Sequence, residues 1–189
     1  MKLATLLSVL AATIAACKSV PPADPQRVAE AVQLARRFMQ ADTGANYGVM
    51  DSLYAPKEDM PVCVIGFDAY TIIDSATIGD PHAKGDTIIV PLTYQVLGSA
   101  RSEDSHQVGP QNMRFVAAPS VKRESLVAGP DPTGRLRFSC WRQVVPNHMT
   151  ADHMVAKIVP HLDSASLAEW NAVNEQRPNK RLKLAGAHK

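Results

Sequence analysis

The chain has 189 residues, 46% of them hydrophobic and 20% charged, which is enough apolar material for one ordinary domain with appendages. Aromatic residues make up only 5%, which argues against a stacking platform for single-stranded nucleic acid. The formal charge of +2 misleads: residues 17–175 hold 14 Lys and Arg against 18 Asp and Glu, and the basic excess sits in the tail, so no nucleic-acid partner is expected.

Met1 and Lys2 open a short basic start, and residues 3–16 form an apolar stretch too short to span a bilayer as a mature helix. It ends Ile14-Ala15-Ala16-Cys17. This resembles the bacterial lipoprotein signal, in which an aliphatic residue and two small ones precede the cysteine that receives the lipid. The resemblance implies cleavage before Cys17 and acylation of its thiol and new amine, giving a membrane anchor of more than one chain. Lys18 follows instead of an inner-membrane retention aspartate, so the expected place is the periplasmic face of the outer membrane. An ordinary secretory signal cut near Ala16, giving a soluble periplasmic protein, is the alternative.

Residues 17–24 read as an extended tether through Pro21 and Pro22. Asp24 then offers a helix N-cap and Pro25 the first helical position. Val28, Ala31, Val32, Ala35, Phe38 and Met39 form one apolar stripe, and Gly44 is a plausible stop. A shorter helix is expected over 47–54, ended by Pro56.

From Val62 the period changes to that of strands. Residues 62–67 and 69–78 are apolar runs, and residues 79–86 form a hairpin loop into the longest β-rich run, 86–98. There Ile88, Val90, Leu92, Tyr94 and Val96 share an apolar face, while Ile89, Thr93 and Gln95 lie opposite. Pro91 is discordant, since it cannot donate to a ladder, and suggests a bulge or an edge. Residues 99–111 read as a loop, 113–117 and 121–128 as short strands, 129–134 as a turn and 136–145 as a strand carrying Trp141. A helix capped by Asn147 or Thr150 is expected to run to Val159, and another from Asp163 or Ser164 through Trp170 and Val173. Residues 175–189 read as a basic, disordered tail that could contact anionic lipid or peptidoglycan.

Helices followed by antiparallel strands give an α+β class. The order of the 28–39 helix, the 69–78 and 87–98 pair, and the 121–128 and 136–145 pair ending Trp141-Arg142-Gln143-Val144-Val145-Pro146 resembles the nuclear transport factor 2-like superfamily. These are cone-shaped domains that include steroid-isomerase-like and polyketide-cyclase-like (SnoaL) proteins. The resemblance implies N-terminal helices packed on a curved antiparallel sheet over 25–146, with 147–174 a C-terminal helical extension. It carries no diagnostic motif.

The remaining cysteines, Cys63 and Cys140, lie in strand-like runs of a protein expected in an oxidising compartment. A disulfide between them would close roughly eighty residues and stabilise by about 4 kcal/mol; buried free thiols, or a reactive pair, are the alternatives. His148, Asp152, His153 and His161 form the densest group of metal-ligand types, but capping and surface roles suit them better, so neither metal nor cofactor is expected. If the cone resemblance holds, its pocket candidates by residue type are Asp68, Tyr70, Asp74, Thr93, Tyr94 and Trp141. An isomerase or dehydratase would need a carboxylate or histidine beside a donor such as tyrosine, and no family motif maps onto these positions. The sequence therefore favours a non-catalytic envelope lipoprotein that binds a small ligand or an envelope protein, with a cone-fold isomerase or dehydratase acting on a small apolar substrate as the alternative.

Cys17→Ala is expected to leave the protein uncleaved or released from membranes, without incorporating labelled palmitate. Equal labelling of wild type and variant would refute lipidation.

Overall fold

The computed structural model describes residues 24–44, 46–55, 69–102, 113–139 and 147–178. At its centre is β3 (Thr87–Ser102), where alternation buries Ile88, Val90, Leu92 and Tyr94. β3 pairs antiparallel with β1 (Ala69–Ile78) on one side and with β4 (Met113–Pro130) on the other. A short β2 (His82–Lys84) joins β3 through a two-residue turn at Gly85, whose φ of 60° glycine adopts without strain. β5 (Leu136–Phe138) pairs with β4, and β6 (Asn147–Thr150) pairs parallel with β1, giving the order β5-β4-β3-β1-β6. The class is α+β with a strongly curled, largely antiparallel sheet.

Pro91 needs neither a bulge nor an outer edge. Its β4 neighbour is Ser125 in an uninterrupted ladder, while the β1 ladder ends one residue away at Leu92 and the β2 ladder begins at Ile89. The missing N–H falls in that gap, and the Pro91 carbonyl accepts the Gly79 N–H at 2.9 Å.

Helix α1 (Pro25–Thr43) starts where Asp24 accepts the Gln26 N–H, and it ends at Gly44, whose N–H bonds back to Gln40. Together with α2 (Tyr47–Ser52) it covers one sheet face: Ala31, Leu34, Ala35, Phe38, Met50 and Leu53 pack on Ile73, Ile88, Val90, Leu92 and Tyr94. Phe38, Tyr54 and Phe138 meet edge to face at 5.9–6.2 Å in this core. The other face is covered by α3 (Ala151–Lys157, capped by Thr150) and α4 (Ser164–Asn174, capped by Asp163). There Trp170, Val173 and Met154 pack on Ile72, Leu97, Ala100 and Phe115. The C-terminal helices thus close a second core.

Irregularities in register distribute side chains between the two cores. Asp74 and Leu97 have no ladder partner at the β1–β3 shifts, and neighbouring Ile72 and Ile73 are fully buried in opposite cores. The two strands expected at 113–117 and 121–128 form one, β4, interrupted in register opposite Gly98. β3 likewise continues to Ser102, four residues into the expected loop, and the segment before α3 is a strand. The expected 136–145 strand is seen as β5, which ends at Phe138; residues 140–145, Cys140 and Trp141 among them, lie outside the described residues, as do Cys17, Cys63 and Asp68.

The ladder around Gly98 leaves no room for a side chain: a Cβ there would sit 2.2 Å from the Val116 carbonyl oxygen. Gly98→Ala is expected to cost about 1–3 kcal/mol in chemical denaturation. Gly48→Ala, in α2 with nothing nearer than 4.0 Å, is expected to be neutral or to stabilise by up to about 1 kcal/mol. Equal effects at the two positions would show that the close approach is not a constraint.

Candidate functional site

Asp42 lies in the last turn of α1, in phase with its buried stripe of Ala31, Leu34, Ala35, Phe38 and Ala41. A carboxylate is disfavoured at a helix C-terminus by the helix dipole and disfavoured in a core by desolvation. Two bonds from β6 compensate. The His148 backbone N–H donates to Asp42 Oδ1 at 3.0 Å, and His148 Nδ1 lies 2.8 Å from Oδ2. Both side chains are fully buried. β6 reaches this position through its ladder with β1, where His148 pairs with Thr71, and through a bridge between Gly44 and Met149.

Because the carboxylate accepts, Nδ1 is the nitrogen that carries the proton in a neutral ring, and Nε2 presents the lone pair. Nε2 is shielded from solvent and has no hydrogen-bond partner among the described residues. The Tyr94 ring stacks flat on the imidazole, centroids 4.0 Å apart and planes within 2°, and its hydroxyl is the second buried polar group without a partner there. A base on β6 and a hydroxyl donor on β3 thus lie side by side, the base oriented by a carboxylate at the end of α1.

The chain has four tyrosines, and all of them gather here. Burial pushes the Tyr47, Tyr54 and Tyr94 phenols well above their usual range, and the Asp42 charge adds to each. Tyr70 hydrogen-bonds Tyr47 and further raises it. The phenols are therefore held as proton carriers.

Of the residues singled out from sequence, Tyr94 is at the centre of this cluster and Tyr70 at its margin. Thr93 is half-buried and points to the opposite sheet face. Asp74 is not in the cluster: the β1 irregularity turns it to Arg177, whose Nε donates to it at 2.8 Å while Nη1 donates to Asp152 at 2.8 Å. That clamp also corrects the tail, which is described through residue 178 and fixed at Arg177. His148 is a core residue, against the expectation of a surface or capping role. His148, Asp152, His153 and His161 do not converge, and the described residues contain no group of three or more His, Cys, Asp or Glu that could hold a metal. Asp42, Tyr47 and Tyr54 were not singled out from sequence.

The fold and site define an α+β domain with a buried aspartate–histidine–tyrosine centre between helix and sheet. No family model matches the chain, and no curated protein matches it. Among solved structures it is similar to a Streptomyces avermitilis protein of the NTF2-like family that bears a provisional dehydratase assignment. The identity is 17%, the match covers 60% of this chain and 92% of that one, and the TM-score is 0.34. A likeness at that level says nothing about chemistry.

The three raised phenols make the fold sensitive to alkali. The folded chain keeps protons that the unfolded chain releases near pH 10.0, so their contribution is fully present below that pH and declines as pH rises above it. Thermal unfolding followed from pH 8 to 11 is expected to show this decline, and Tyr94→Phe to make it shallower. A melting temperature constant across that window would contradict the assigned burial.

Proposed function

We propose that the domain is an acid–base catalyst of the isomerase or dehydratase type, acting on a small, largely apolar carbonyl compound, and that a lipid on Cys17 holds it at the outer membrane. One observation carries the catalytic part: a buried imidazole, oriented by Asp42, keeps Nε2 unpaired against the unpaired phenol of Tyr94. An unsatisfied buried polar group costs about 1–3 kcal/mol, and a purely structural core would dispense with both. A bound substrate would satisfy them together.

In this reading His148 Nε2 removes a proton from the carbon beside the carbonyl. Asp42 fixes the ring orientation and tautomer and stabilises the imidazolium that forms. Tyr94 donates to the carbonyl oxygen as negative charge develops there. The same imidazolium then returns the proton to another carbon, as an isomerase requires, or to a departing hydroxyl, as a dehydratase requires. The surrounding aliphatic and aromatic side chains suit an apolar substrate body. The envelope location is supported by the Ile14-Ala15-Ala16-Cys17 signal; among the described residues no helix is long and apolar enough to cross a membrane.

The test is exchange of protons for deuterons beside the carbonyl in a panel of cyclic and aryl ketones, followed by NMR in D2O. Wild type is expected to accelerate exchange of at least one member, and His148→Gln to lose about 100-fold or more of that acceleration. Asp42→Asn is expected to fall between them if it folds, as judged by circular dichroism. Ketone binding without any exchange by the wild type would overturn the catalytic reading in favour of a non-catalytic small-ligand carrier.

A further inference from the structure

Lys122 and Glu124 break the pattern of the strand that carries them. Tyr94, Leu92, Val90 and Ile88 on β3 pair with Lys122, Glu124, Leu126 and Ala128 on β4 in one unbroken register. Paired residues of a ladder share a face, with Cβ atoms about 5 Å apart. All four β3 members are buried, Ala128 is buried, and Leu126 packs against the same core. The phase therefore calls for apolar residues at 122 and 124, and the chain places a cation and an anion there. The two form an ion pair with side chains 36% and 26% exposed. Glu124 is close enough that its charge also acts on the Tyr54 and Tyr94 phenols, after burial and Asp42. The pair thus lies across the ladder from Tyr94, whose phenol the proposed chemistry uses, and is partly screened from water, where charge interactions weaken less than on an open surface.

From this juxtaposition we infer that Lys122 sets specificity, taking an anionic group of the substrate, a carboxylate, in exchange for Glu124. The substrate class is then a keto acid, with its carbonyl at Tyr94 and its carboxylate one ladder position across on β4. Glu124 neutralises the ammonium while the site is empty and releases it to the incoming anion. The inference rests on Tyr94 being the group that meets the carbonyl. Inward-pointing charges on a strand edge also discourage pairing with other chains, and among the described residues no strand pairs with the β4 edge opposite β3 from Met113 to Val127, since β5 takes up only Ala128–Pro130. That role needs no counter-ion beside Lys122.

The test is calorimetric titration of the full-length protein with levulinate and with methyl levulinate, which differ only in the anion. Wild type is expected to bind the acid about tenfold more tightly than the ester, as one charge-assisted pair would give. Lys122→Met is expected to abolish that preference while leaving ester affinity unchanged, Lys122→Arg to keep it, and Glu124→Gln to enlarge it. Equal wild-type affinities, no binding of either compound, or a Lys122→Met variant that weakens both alike would overturn the inference. So would a variant that keeps the preference and self-associates by light scattering, which would leave edge protection as the role of Lys122. His148→Gln separates the two proposals, since it is expected to retain the acid preference. An acid preference that depends on Lys122 in a wild type without proton exchange would refute the catalytic reading and leave this one standing.

Discussion

The contact between Asp42 and His148 joins the end of the first helix to a strand 106 residues further along the chain. Its strength lies in using both carboxylate oxygens, one for a backbone N–H and one for the ring. A buried carboxylate with a single partner would leave lone pairs desolvated and uncompensated. Two donors from one residue offset much of that cost and fix the strand's height relative to the helix. Losing either partner would leave the other buried without its bond, at a cost of about 1–3 kcal/mol, and more for the carboxylate. The position of β6, and with it the covering of the second core by α3, depends on this contact.

The same contact explains how a polar centre survives between two apolar cores. Tyr94 is both a core residue packed from β3 and the face on which the imidazole lies. Laying the imidazole flat on the phenol ring sets one aromatic face against another, so the imidazole face is accommodated without a polar partner. The tyrosines around it contribute apolar ring area and concentrate hydroxyls where Asp42 can act on them.

Both sheet faces are covered, one by α1 and α2 and the other by α3 and α4. Alternation sends Ile72 and Ile73 to opposite faces, so each is buried in its own core. The irregularities at Asp74, Leu97 and Gly98 re-aim the side chains beyond them and bring the β3 and β4 backbones too close for any residue but glycine at 98. They also send Asp74 to Arg177, which ties β1, α3 and the chain beyond α4 together. The geometry of the site and the anchoring of the C-terminal helices have one origin.

The local features were legible because their causes are local. The Asp24 cap, the α1 stripe, the Gly85 turn, the Thr150 and Asp163 caps and the buried face of β3 each depend on residues a few positions apart. Asp42 was legible in principle, as a charge in phase with the helix stripe Val28, Ala31, Ala35 and Phe38, which marks a buried acid in need of a partner. Nothing near Pro146 or His148 names that partner. Parallel pairing of β6 with β1, the register shifts that re-aim Asp74, and the charged pair opposite Tyr94 and Leu92 all depend on strands distant in sequence. The sequence by itself determined the main helices and long strands, their order and an expected lipid anchor, but neither β2 nor β6. The tertiary structure decided which polar groups meet, because register and long-range closure have no local signature, and a one-residue slip in a strand exchanges its two faces.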